Sequence, residues 1–165
     1  MDADDELLEV LERIYSRADK SPADHAVLAV KEELVRLGAD AAFVAVPSPD
    51  GNAVEVARVT RYSEHPVRLA FSINAPYPLA EVLRRGDALF IASNEHLRCD
   101  HPGLLRLDDE DHACATLPLR GSDGALLGAL NLGFGDPHEF DSEERAAIEQ
   151  LAQKCAAVLG RPAVA

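Results

Sequence analysis

Basic side chains are scarce in this chain: 16 Lys and Arg stand against 29 Asp and Glu in 165 residues, a formal net charge of −13. That balance excludes nucleic acid as a partner, because binding there depends on neutralising phosphates with Lys and Arg. An anionic membrane surface is excluded for the same reason. Cysteine is also sparse. Cys99, Cys114 and Cys155 are too few and too scattered for a disulfide scaffold. No apolar run approaches the roughly 18 residues of a membrane span. The start, Met1-Asp2-Ala3-Asp4-Asp5-Glu6, is acidic where a signal peptide is basic, so a cytoplasmic, reducing location is expected. Internal repeats and low-complexity linkers are lacking. So are a glycine-rich phosphate loop after a strand, a Gly-x-Ser-x-Gly elbow and a His-Glu-x-x-His pair.

What remains is an ordinary globular composition, 47% hydrophobic and 27% charged. At this length folding buries roughly 70% of the unfolded chain's surface without help from disulfides or metals. Residues 1–20 are expected to form an N-terminal helical extension for packing or dimerisation, with Leu7, Leu11, Ile14, Tyr15 and Ala18 on one stripe of a helix over 4–18. The main domain covers 21–160, and 161–165 is a tail. Ser21, Pro22 and Asp24 form a capping-box pattern opening a second helix that runs to Leu37, with Gly38 as its C-terminal stop. Strands follow at 41–46, 53–60 and 67–73, the last alternating as Val67, Leu69, Phe71, Ile73. A helix begins at Pro78 and ends at Gly86, a short strand occupies 88–92, and Ser93 caps one further helical turn. The stretch 98–112 reads as irregular, with Asp108 to Asp111 a solvated acidic loop. Two strands, 113–119 and 125–134, flank Gly121-Ser122-Asp123-Gly124 as a hairpin, and Asp141 caps a final helix with Ile148, Leu151, Ala152, Cys155 and Leu159 along one face. Strands joined by short turns, with helices at both ends, give an α+β domain built on a central antiparallel sheet of about six strands.

With these elements placed, the C-terminal half resembles the GAF domain family. The resemblance rests on Leu117-Pro118-Leu119, Gly124 and Leu127-Gly128-Ala129-Leu130-Asn131-Leu132, then Phe140-Asp141-Ser142-Glu143-Glu144-Arg145 and Leu151-Ala152-Gln153. Pro78-Leu79-Ala80-Glu81, Arg85-Gly86-Asp87-Ala88-Leu89-Phe90-Ile91 and His101-Pro102-Gly103-Leu104 are similar to the family's middle segment. The resemblance implies a bacterial signalling module of GAF/PAS-like fold that senses a small molecule between the sheet and the middle segment. It implies terminal helices paired in a homodimer and a signalling partner acted on in trans. On that reading Phe71, Tyr77, Phe90 and Leu104 are apolar walls of the pocket, and Arg61, Tyr62 and His101 its polar contacts.

Cofactor chemistry is weighed against the same residues. His96, Cys99, His101, His112 and Cys114 could ligate zinc, iron or haem, or carry a redox thiol, as in a metal-, haem- or thiol-based redox sensor, yet their spacing matches no standard zinc motif, and Cys114 also reads as a small core residue. No cofactor is required by the sequence. The Asn-Lys-x-x-x-Phe and Asp-Glu signature of cyclic-nucleotide GAF domains has no counterpart here. Asp100 separates Cys99 from His101 where bilin-binding members carry Cys-His, so both ligand classes are disfavoured. An enzymatic branch of the family reduces free methionine sulfoxide with cysteines around this pocket, which makes a thiol reductase using Cys99 and Cys114 one alternative. A ligand-free structural dimerisation module is another. Charge adds one expectation: residues 58–106 hold seven basic and five acidic side chains, which predicts a neutral or anionic ligand meeting Arg58, Arg61 or Arg68.

Overall fold

The central strands of this sheet show why the hydrophobic pattern changes along the chain. In the computed structural model, which describes residues 20–160, Ala41 to Ala45 are all buried because both faces of their strand are covered. That strand, β1 (Ala41–Pro47), pairs antiparallel with β2 (Ala53–Thr60) and with β6 (Leu126–Phe134). The remaining strands are β3 (Val67–Ser72), β4 (Leu89–Ile91) and β5 (Ala113–Arg120). The six run β3-β2-β1-β6-β5-β4, with β3 and β4 at the edges. Every pairing is antiparallel. The expected α+β architecture is thus present.

Five helices clothe the sheet among the described residues. One face carries α1 (Pro22–Lys31), α2 (Leu34–Leu37) and α5 (Ser142–Leu159). Here Val27, Val30 and Leu34 meet Ile148, Leu151, Cys155 and the β-strand residues Val44, Val59 and Leu130 in the main core. The stripe from Ile148 to Leu159 packs on this core, with Ile148, Leu151, Ala152 and Cys155 buried in it. The opposite face carries α3 (Pro78–Arg85) and α4 (Asn94–Asp100), with a smaller core around Phe43, Val54, Val56, Leu79 and Val82. The expected helix over 4–18 and the tail 161–165 lie outside the described residues.

Local signals explain most boundaries. Ser21 and Asp24 form the full capping box: the Asp24 amide donates to Ser21 Oγ at 3.2 Å and the Ser21 amide to Asp24 Oδ2 at 3.0 Å. The second helix is not continuous to Leu37, however. It breaks at Glu32–Glu33, where the Glu33 amide turns back to the Val30 carbonyl at 2.9 Å, a tighter bond than the α-helical one. Two adjacent carboxylates at the negative end of a helix dipole disfavour straight continuation. Ser93 caps α4 as expected, accepting from the His96 amide at 3.1 Å, but the helix runs two turns to Asp100 rather than one. No helix among the described residues is long and apolar enough to cross a membrane.

The β1–β6 seam depends on close approach at Gly128. A Cβ there would stand 2.4 Å from the Ala45 carbonyl oxygen. Gly128→Ala is therefore expected to destabilise the domain by about 1–3 kcal/mol through overpacking, read as a lowered urea midpoint. An unchanged midpoint would show that the two strands separate without cost.

Candidate functional site

Strand alternation presents Cys114 and Thr116 of β5, and Asn131 and Gly133 of β6, to the α3/α4 face in the register Cys114↔Gly133 and Thr116↔Asn131. Above them the chain from α4 to β5 folds back over the sheet. Together with Leu79 of α3, Ile91 of β4, Leu97 of α4 and Leu107 it encloses a cavity with about 30 Å³ open to water-sized molecules, room for one or two waters. The covering segment is tied at several points. The Leu105 amide donates to the Pro76 carbonyl at 2.6 Å and the His112 amide to Phe134 O at 2.8 Å. Arg106 Nη1 donates to the carbonyls of Asp109 (3.0 Å) and Asp111 (3.1 Å). Arg58 of β2 pairs with Asp108 at 2.6 Å.

The polar groups of the cavity are partly committed. Thr116 Oγ1 donates to Asn131 Oδ1 at 2.6 Å, which leaves the Asn131 NH2 group without a partner among the described residues. Asn94 Nδ2 lies 2.9 Å from His112 Nδ1; with the amide donating, Nε2 carries the imidazole proton. Asp111 differs from both. It is only 8% exposed, and its carboxylate forms no hydrogen bond or ion pair with any described residue. The carboxylate fits because β6 has a glycine beneath it: a Cβ on Gly133 would lie 2.4 Å from both Asp111 oxygens. Burial, then the charge of Asp108, push the Asp111 carboxyl up to about 7; Arg58 opposes them, and Asp40 and Glu110 add to the rise. The expectation of a solvated acidic loop is thus corrected at both ends of the run, since Asp108 is ion-paired and Asp111 is buried.

The residues expected to form the pocket are scattered by the fold. His112 and Cys114 line the cavity. Phe90 does not, because Leu89 and Ile91 turn toward the α3/α4 side and period-two alternation sends Phe90 to the other face. There it meets Phe140 at 5.4 Å and lies under the Arg145 guanidinium at 4.4 Å. Phe71 and Tyr77 make an edge-to-face pair at 5.0 Å, with Phe71 packed on the smaller core. Arg61 pairs with Asp40 at 2.9 Å, and Tyr62 is 87% exposed. His101 and Leu104 line a separate surface depression beside Arg84 and Asp100. The three arginines of 58–106 expected to meet a ligand lie apart from this cavity as well. Arg58, Arg61 and Arg68 are each engaged by a carboxylate, of Asp108, Asp40 and Asp24 respectively, and none lines the cavity.

The five histidine and cysteine residues also divide. His96 has both ring nitrogens occupied, Nδ1 by the Ala92 amide at 3.0 Å and Nε2 near Asp100 at 3.1 Å. Cys99 is exposed beside it, while His112 and Cys114 belong to the cavity. Among the described residues no group of three or more His, Cys, Asp or Glu could hold a metal ion. Burial pushes the Cys114 thiol up to about 12, outweighing a smaller opposing influence of the Thr116 side chain, and burial does the same to Cys155. Neither is a thiolate at neutral pH. At pH 7.5 iodoacetamide is accordingly expected to alkylate Cys99 and spare Cys114 and Cys155, as read by peptide mass spectrometry. Fast alkylation of Cys114 would contradict the burial argument.

Among the cavity-lining residues that the sequence did not single out are Asp111, Asn131, Ile91, Leu97 and Leu107. Asn131 carried a signal, as the polar member of an otherwise apolar strand. Asp111 carried none that separates it from its acidic neighbours.

Comparison with known proteins accords with this geometry. A family model described as GAF domain matches residues 20–160. No curated protein matches the sequence. Among solved structures, the GAF domain of a phosphoenolpyruvate-protein phosphotransferase from Coxiella burnetii is similar at a TM-score of 0.64 and 19% identity, over 96% of this chain and 95% of that one. The GAF-B domain of DevS from Mycobacterium smegmatis gives 0.61 and 20%, over 84% and 93%. Free methionine-R-sulfoxide reductase from Neisseria meningitidis, solved in complex with its substrate, gives 0.61 and 15%, over 96% and 91%. At these identities the structural likeness speaks for the fold alone, but the family model spans most of the sequence, and this chain belongs to the GAF domain family.

Proposed function

We propose that this GAF domain is a regulatory module that binds a small molecule in the cavity under the 101–112 segment and reports its occupancy through α5. The observation that supports this is Asp111, a buried carboxylate that the described protein leaves without a donor at the edge of an apolar-walled cavity. Such a group costs stability where it stands, and a module serving only to hold two chains together has no use for it. A ligand offering hydrogen to that carboxylate recovers the cost on binding. The cavity as it stands accommodates few atoms, so anything larger enters by lifting the covering segment, whose ties include the Arg58–Asp108 ion pair.

Transmission follows from the sheet. Asn131 lines the cavity and Gly133 lies under the Asp111 carboxylate, while Leu130 and Leu132 on the same strand pack in the core with Ile148, Leu151 and Cys155 of α5. A strand displaced on one face repacks the helix on the other, and the ligand's differential affinity for the two packings sets the shift. The thiol-reductase alternative lacks comparable support, because catalysis by Cys114 would require a lowered pKa and its surroundings raise it.

A thermal-shift screen of small metabolites tests the reading. At least one compound is expected to raise the Tm of the wild-type protein by linkage and to lose that effect in Gly133→Ala, where the new Cβ displaces the Asp111 carboxylate. A screen in which no compound shifts the wild type, or in which hits act equally on Gly133→Ala, overturns it.

A further inference from the structure

Resting on that binding reading, we infer that the ligand of this cavity is a small ammonium cation, held by the Asp111 carboxylate through its N–H groups with its alkyl part against Leu79, Ile91 and Leu107. The reasons are local. Asp111 is more than nine-tenths buried and borders the cavity with two acceptor oxygens and no donor among the described residues. Its surroundings select the sign of the guest. Asp40 ahead of β1, together with Asp108 and Glu110 of its own segment, stands close enough to repel a second negative charge. Two cations of β2, Arg58 and Arg61, border a surface depression with Asp111, and both are already satisfied, Arg58 by Asp108 at 2.6 Å and Arg61 by Asp40 at 2.9 Å. Arg106 also lines the cavity, but its Nη1 is held on two backbone carbonyls and it does not reach the carboxylate. His112 has its Nδ1 turned to Asn94. An anion placed here would meet the unpaired Asp111 carboxylate, whereas a cation supplies the donor that Asp111 lacks. The Asn131 NH2 group would serve an oxygen carried on the same ligand, which favours an amino alcohol over a plain amine. Size sets the remaining limit: about 30 Å³ of open space takes a guest of a few heavy atoms without moving the cover.

Binding is coupled to a proton. Where Asp111 is protonated in the empty site, an ammonium ion enters as the carboxyl releases its proton to solvent, so affinity rises with pH until Asp111 is already ionised. An acceptor ligand such as a carboxylate shows the opposite dependence.

The Asp111 side-chain carboxyl can be followed by carbon-13 NMR across pH 4–9 in the whole protein. The conditions are the free protein, methylammonium or ethanolammonium chloride, and sodium acetate or ethanol at matched ionic strength. The ammonium ions are expected to lower the Asp111 midpoint by about one unit or more, equivalent to a tenfold preference for the ionised form. They should also raise Tm in wild type but not in Asp111→Asn. Acetate raising the midpoint and the Tm would overturn the cation assignment while leaving the binding site in place. Ammonium ions that move neither quantity would overturn it too, and the metabolite screen then judges the binding reading separately. A Tm shift of equal size in Asp111→Asn would place the cation elsewhere and overturn the assignment.

Discussion

Asp111→Asn is expected to make the domain more stable at pH 8 by about 2–4 kcal/mol and to change it little near pH 4. The carboxyl has a pKa near 3.8 when unfolded and about 7 when folded. Below pH 4 it is protonated in both states and contributes nothing. As pH rises from 4 to 7 the unfolded chain ionises while the folded one resists, so stability falls; above 7 both are charged and the full penalty remains. A gap of about three units at 1.36 kcal/mol each sets a ceiling of about 4 kcal/mol. Asparagine keeps the shape and removes the titration. For a domain of this size the gain corresponds to roughly 4–16 °C in Tm. Urea unfolding of both proteins at pH 4.5 and 8 isolates the residue, because every other titrating group is common to the pair. A difference that does not grow with pH would mean that water or a mobile cover solvates the carboxylate. A variant that is more stable yet deaf to ligand is the expected signature of a binding residue, since functional groups are commonly kept at a cost to stability.

The contrast between fold and site shows what kind of information a sequence carries. Elements announced themselves wherever the determinant was local: the Ser21–Asp24 capping box, the alternation through β3, the Gly121–Gly124 turn, the Asp141 cap. The Ile148–Leu159 stripe was equally legible as a stripe, but periodicity does not say what covers it, and α1 of the same chain does. Site residues depend on register and on how a long connection folds back, and neither is local. Phe90 illustrates the first. Its neighbours Leu89 and Ile91 are also apolar, so the alternation that sends it away from the cavity is invisible until β4 is paired with β5. Asp111 illustrates the second. In the run Asp108-Asp109-Glu110-Asp111 only the last falls on the far side of the loop, above a residue whose missing side chain makes room for it. Gly133 and Asp111 are 22 positions apart, and neither one alone suggests the other.

Arg68→Leu is expected to destabilise the protein by about 2–4 kcal/mol while leaving its response to ligand intact. Asp24 is completely buried at the start of α1. Its Oδ2 accepts from the Ser21 amide at 3.0 Å and from Arg68 of the edge strand β3, through Nε at 3.1 Å and Nη2 at 2.5 Å. Its Oδ1 is buried without a partner among the described residues. Removing the guanidinium therefore leaves a buried carboxylate with a single donor, a situation that costs about 3–5 kcal/mol when no water can enter. The Arg68 side chain is 45% exposed, so water admitted beside it reduces the loss to the range expected. Adding Asp24→Asn to Arg68→Leu removes the stranded charge, and the double variant is expected to be more stable than Arg68→Leu alone. Breaking the exposed Arg36–Glu33 pair by Arg36→Ala should cost less than about 0.5 kcal/mol, which calibrates the experiment within one protein. Because Arg68 and Asp24 lie on the α1 side of the sheet and the cavity on the other, ligand-induced Tm shifts should survive in Arg68→Leu. If Arg68→Leu were as mild as Arg36→Ala, Asp24 would have to be solvated despite its burial. If it abolished the ligand shift, the two faces would be coupled more tightly than strand alternation alone provides.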